Sequence, residues 1–113
     1  MINGTDKTEK KRKIVYAFGN SGCSRTPLES MDIYLQARLF LENIDREIHE
    51  AGLDRTDIIF MLVHYEKGTN RNKLETILDS YFDNKRPQIE LYDTKNETVT
   101  GKKINIEALA VRE

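Results

Sequence analysis

Apolar residues recur at three- and four-residue intervals from Ile33 through Ala37, Phe40, Leu41, Ile44 and Ile48 to Ala51. That period gathers them on one face of an α-helix, and Gly52 stands where a left-handed residue would end it. On the opposite side Arg38, Glu42, Arg46 and Glu50 follow at steps of four, predicting a solvated face with weak ion pairs. A second, shorter helix is predicted from Leu74, Ile77, Leu78 and Tyr81, with Thr69 or Asn70 as its N-cap.

The remaining apolar runs read as strands. DIIFMLVHY, residues 57–65, is almost continuously apolar, short, and rich in β-branched and aromatic residues. It predicts a central strand covered on both faces. Ile14 to Phe18 is a β-rich run that breaks on Gly19 and Gly22, and Ile89–Tyr92 and Lys103–Val111 flank the polar DTKNETVTGK. The last two predict a hairpin with a long tip. The order strand, helix, strand, helix, strand, strand fits an α+β domain, a single sheet with two helices packed on one face. Two helices leave the other face open. Val15, Phe60 and Leu62, with the alternating Ile104, Ile106, Ala108 and Ala110, predict that neighbouring subunits supply the second cover.

Composition narrows the function classes. With 113 residues the chain holds one domain, assigned to 14–113 after a polar, flexible segment at 1–13. Its net charge is -1, from 18 basic and 19 acidic residues, which gives no global footprint for nucleic acid or membrane. The basic cluster KTEKKRK, residues 7–13, reads as a solvated lead-in or as a phosphate-binding arm. No apolar stretch is long enough for a signal peptide or a membrane span, so a cytoplasmic location is expected. Cys23 is single, which excludes an intramolecular disulfide. Beside Arg25 it is either an activated thiol or an ordinary packed cysteine. His49 and His64 are isolated, and no spacing of Cys, His, Asp and Glu suggests a metal site. AFGNSG lacks the Lys-Ser/Thr of a P-loop and reads as a strand-ending turn whose backbone N–H groups could line a pocket.

Arg86 stands apart. It precedes Pro87, which favours an extended conformation, and it lies between the second predicted helix and the next strand. A guanidinium held there is either solvated or placed to bind a carboxylate through two N–H groups.

Read together, LQARLFLENIDREIHEAGLDRTDI, FMLVHY, SYF, an arginine and the closing KINIEALAV resemble the reactive-intermediate deaminase family (RidA, also YjgF). Gln36, Arg38, Leu41, Asn43, Ala51, Gly52, Asp57, Glu107, Ala108, Ala110 and Val111 carry the register, over roughly residues 14–112. The resemblance implies a chorismate-mutase-like fold and a homotrimer whose sheets line a central barrel, with ligand clefts between subunits. It also implies hydrolysis of enamine or imine acids such as 2-aminoacrylate to a 2-keto acid and ammonia, without metal or cofactor. Arg86 matches the family's carboxylate-binding arginine, and Gly19 matches a glycine facing the cleft. Gln88 replaces the family's small Cys or Thr, Glu75 replaces an Asn of the second helix, and Asn105 replaces the acidic residue held to position water. Glu107 matches a second glutamate of more structural role. The expected site is thus Arg86, Gly19, Gln88 and Glu75 toward a small carboxylate (an imine or 2-keto acid), with Asn105 and Glu107 toward water. The competing readings are a non-catalytic trimer that binds a carboxylate metabolite through Arg86, and a ribonuclease, against which the near-neutral charge speaks.

Overall fold

The computed structural model describes residues 12–19, 30–94 and 103–113. Cys23, most of the basic cluster and the tip between the last two strands lie outside the described residues. Strand β1 (Lys13–Phe18) is followed by helix α1 (Ile33–Glu50) and a 3-10 turn, Arg55–Asp57. Strand β2 (Ile58–Glu66), helix α2 (Arg71–Tyr81), strand β3 (Gln88–Thr94) and strand β4 (Ile104–Arg112) complete the domain.

Local chemistry sets the helix ends. The Asp32 carboxylate accepts the Leu35 N–H at 2.8 Å to open α1. At its other end Leu53 N–H donates to the Ile48 carbonyl and Gly52 N–H to that of His49, both at 2.9 Å, with Gly52 at φ 88°. This is the paired arrangement of a Schellman cap, and the buried Leu53 closes it with an apolar contact. Asn70, rather than Thr69, caps α2 by accepting the Lys73 N–H.

The buried face of α1 is the one that the periodicity predicts, with Gln36 and Asn43 added to it. Both are satisfied, as buried polar groups must be. Gln36 Oε1 accepts Lys103 N–H at 2.7 Å, and Asn43 Nδ2 donates to the Gly19 carbonyl at 2.8 Å. The outer face is solvated, but no ion pair joins Arg38, Glu42, Arg46 and Glu50 to one another among the described residues. The i,i+4 pairs are instead His49–Asp45 and Arg71–Glu75. An Arg placed before a Glu is the weaker of the two i,i+4 orders.

Both helices pack on one face of a four-stranded mixed sheet of order β1-β4-β2-β3, with β2 and β3 parallel and the other pairs antiparallel. The expected hairpin therefore does not form, because β4 lies between β1 and β2 and away from β3. Burial explains the choice. β4 alternates Ile104, Ile106, Ala108 and Ala110 into the core and takes an interior slot, whereas the more polar β3 suits an edge.

A second correction concerns the apolar excess. Ile104, Ile106, Ala108 and Ala110 face the helices beside Ala17, Met61 and Val63, so this chain covers them itself, and Val15 packs partly against the same core. The open face instead carries Phe60, Leu62 and Leu109, half-buried, with Ile14, Tyr16 and Phe18 at 61%, 46% and 44% exposure. β2 is thus covered on one face only within the chain. No helix of the described residues is long and apolar enough to cross a membrane.

Candidate functional site

The turn after α2 delivers Arg86. Asp83 and Asn84 both take left-handed backbone, at φ 52° and 64°, which Asp and Asn tolerate better than most residues. Asn84 N–H donates to the Asp79 carbonyl at 2.8 Å, and Lys85 N–H to that of Phe82 at 2.9 Å. The chain folds back on the helix just before Arg86. Its guanidinium then reaches α2, with Nη2 donating to Glu75 Oε1 at 2.9 Å and Nη1 lying 3.3 Å from Asp79 Oδ1. The other Glu75 oxygen takes Arg71 Nε at 3.1 Å. Glu75 is held below the usual carboxylate range, chiefly by the Arg86 hydrogen bond and then by that of Arg71, with partial burial opposing. Arg86 keeps 35% of its side chain exposed. One of its five N–H groups donates to Glu75, while Asp79 sits within ion-pair distance, which leaves further N–H groups to meet an incoming acceptor.

Asn105 and Glu107 lie together on the open face of β4, as strand alternation requires. Glu107 accepts the Tyr16 hydroxyl at 2.8 Å on one oxygen and Asn105 Nδ2 at 3.3 Å on the other. The hydrogen bond to Glu107 is the main cause that raises the Tyr16 hydroxyl above its ordinary pKa. Asn105 is registered against His64, whose ring stacks on Tyr92 at 5.8 Å. Gln88, on the edge strand, turns to Glu90 at 3.3 Å, and the other Glu90 oxygen takes the Tyr92 hydroxyl at 2.5 Å.

Gly19 is buried, and both its backbone groups are taken. Its N–H donates to the Ile106 carbonyl at 2.8 Å and its carbonyl receives Asn43. It offers no free backbone donor to a ligand.

The structure therefore brings Arg86 to Glu75, and Asn105 to Glu107, but it does not bring the two groups together within one chain. β3 and β4 are separated by β2, two strand spacings or roughly 10 Å. Asp79 and the pairing of Tyr16 with Glu107 escaped the sequence reading. The β1–β4 register that sets Tyr16 opposite Leu109, diagonal to Glu107, leaves no local trace. Asn43 did leave one, as a polar residue within the apolar stripe of α1.

A family model described as Endoribonuclease L-PSP matches residues 7–112. The chain belongs to this family, the YjgF/RidA proteins. TdcF of E. coli, solved with bound serine, is 26% identical over 88% of this chain and 81% of its own, with a TM-score of 0.70. A Vibrio vulnificus relative is 27% identical, with a TM-score of 0.64, over 72% of this chain. RidA from the Antarctic bacterium Psychrobacter sp. PAMC 21119, at 18% identity over 70% of this chain and a TM-score of 0.63, shares the fold. The chain spans 66% of the length of the Vibrio protein and 63% of that of the Psychrobacter RidA. No curated protein matches.

Proposed function

We propose that this YjgF/RidA protein is a divergent enamine/imine deaminase that works as a homotrimer, hydrolysing 2-aminoacrylate-type acids to 2-keto acids and ammonia. The observation that carries the reading is Arg86. It stands at the entrance to β3, its guanidinium is fixed by Glu75 and Asp79, and a third of its side chain remains open. TdcF was solved with serine, whose carboxylate is the kind of group an arginine grips. The exposed Ile14, Tyr16 and Phe18, continuous with Leu109, Phe60 and Leu62, favour an assembly that buries the open face.

In this reading the carboxylate of the planar imine acid lies on the free N–H groups of Arg86. Asn105, Glu107 and Tyr16 of an adjoining subunit place a water at its C2. Water adds across the C=N bond, and the resulting aminol expels ammonia to leave the keto acid. Orientation of a bound substrate toward water supplies much of the acceleration, and no strong base is demanded. Gln88 and Glu75 shape the arginine's surroundings, with Glu75 acting as its anchor.

The test is ammonia release from 2-aminoacrylate generated in place by a dehydratase. Wild type accelerates it and Arg86→Ala does not, while sedimentation shows the trimer in both. Wild type no faster than buffer would refute the reading.

A second reading follows from Glu107. Both its oxygens already hold donors and position 105 is an amide, which suits a trimer that binds a carboxylate metabolite without transforming it. It predicts a higher Tm with 2-keto acids, lost in Arg86→Ala, and no ammonia. Ribonuclease chemistry fits the open face poorly. Its positions 60–64, 88–92 and 105–109 present Glu90 and Glu107 and no Lys or Arg, a surface that repels a phosphate backbone.

A further inference from the structure

On the helix side of the domain, opposite the open sheet face, α1, α2 and Arg55 of the 3-10 turn line an open, solvent-accessible cavity of about 350 Å³. That is within the range of small-molecule sites, roughly 300–1,000 Å³. Its floor is apolar, formed by the buried Leu41 and Ile77. Its walls carry charges of both signs, and most of them are already committed. Arg55 donates to the Tyr81 carbonyl at 2.5 Å and covers the Tyr81 ring at 5.0 Å. The Tyr81 hydroxyl donates to Asp45 at 2.9 Å, Asp45 also holds His49 at 3.2 Å, and Arg46 donates to Asn43.

Two lining groups are left over. Among the described residues the side chains of Arg38 and Glu42 make neither a hydrogen bond nor an ion pair, although they are one helical turn apart on the same rim. A free guanidinium and a free carboxylate beside an apolar floor match the two ends of a zwitterion. A plain anion would meet Glu42 and Asp45, and a plain cation would meet three arginines.

We infer that this cavity is a second ligand site, separate from Arg86, for a free amino acid with an apolar side chain. The ligand carboxylate lies on Arg38, its ammonium on Glu42, and its side chain on Leu41 and Ile77 against Tyr81.

Calorimetric titration of the full chain with L-phenylalanine tests this. The control ligands are 3-phenylpropionate, which lacks the ammonium, and phenethylamine, which lacks the carboxylate. Saturable binding of phenylalanine is expected, with each control weaker by about ten- to a hundredfold, the loss of one charge-assisted hydrogen bond. Arg38→Ala and Glu42→Gln weaken phenylalanine by the same factor. Arg38→Gln serves if the alanine variant melts early. Arg86→Ala leaves the binding unchanged, which separates this site from the carboxylate site. Absence of binding, equal binding of the controls, indifference to the Arg38 and Glu42 variants, or loss only in Arg86→Ala would each overturn the inference.

Discussion

Gly19→Ala tests the contact on which the β1 exit depends. An alanine Cβ there would lie 2.7 Å from Phe40 Cβ, 3.1 Å from the Phe40 carbonyl oxygen and 3.2 Å from that of Ile106. Ordinary contacts begin at 3.4 Å, so the Phe40 pair must open by about 0.7 Å. Phe40 Cβ cannot swing away, because it is fixed to the backbone of α1 and its side chain is only 2% exposed. Either α1 lifts from the sheet or the end of β1 bends, and the bonds from Gly19 to Ile106 and Asn43 stretch with it. Overpacking of this kind costs roughly 1–3 kcal/mol. In urea, with m near ~1.5 kcal/mol/M, the midpoint falls by about 0.7–2 M at unchanged m and fixed protein concentration. Gly52→Ala is the contrast. Its Cβ would meet only the far end of the long Lys13 side chain, at 3.1 Å, and its cost of about 1–2 kcal/mol comes from φ 88°. Gly52→Asn should therefore recover much of the loss, whereas Gly19→Asn should not. A Gly19→Ala midpoint indistinguishable from wild type would refute the close approach.

The other predictions concern the two polar groups. Because the folded Glu75 pKa is depressed, mainly by Arg86, its stabilisation is complete above the ordinary glutamate range and is lost as pH falls through the depressed value. Acid urea melts should therefore show wild type losing more stability than Glu75→Gln, while at neutral pH the half-open pair is worth no more than about 1 kcal/mol. Asn105→Glu puts a second carboxylate where the amide now lies 3.3 Å from Glu107, pushing one of the pair toward neutrality. The 2-aminoacrylate assay should then show a gain on the order of 10²-fold, the contribution of a general base, and an unchanged rate would remove position 105 from the water-placing role.

The helices and the caps at Gly52 and Asn70 were legible because periodicity and capping are local. Gly52 and Asn70 act within a few residues of where they stand, and the long step from Ile33 to Ile48 needs no knowledge of what it packs on. Strand order was not legible. A polar, Gly-containing link suggested a hairpin, but pairing is decided by which strand buries more, and β4 displaced β3 from that neighbour. The same limit applies to the site. Arg86 before Pro87 can be read directly, and its family register follows. That its guanidinium ends on Glu75 and Asp79 depends on two left-handed residues in the turn, which sequence pattern alone does not reveal.

Those two carboxylates bear on what Arg86 can do. An arginine whose charge is balanced by the carboxylates of the neighbouring α2 cannot attract a distant anion strongly, since Arg71, Arg86, Glu75 and Asp79 together sum to zero. It gains in return a fixed orientation, because the guanidinium is planar, hydrogen-bonded to Glu75 and drawn toward Asp79. Recognition would then rest on directed N–H groups at short range rather than on steering, and such binding responds weakly to salt. Removing Glu75 frees the charge and loosens the geometry together. If charge limits binding, Glu75→Gln binds 2-keto acids more tightly and with greater salt dependence. If orientation limits it, the same variant binds them more weakly.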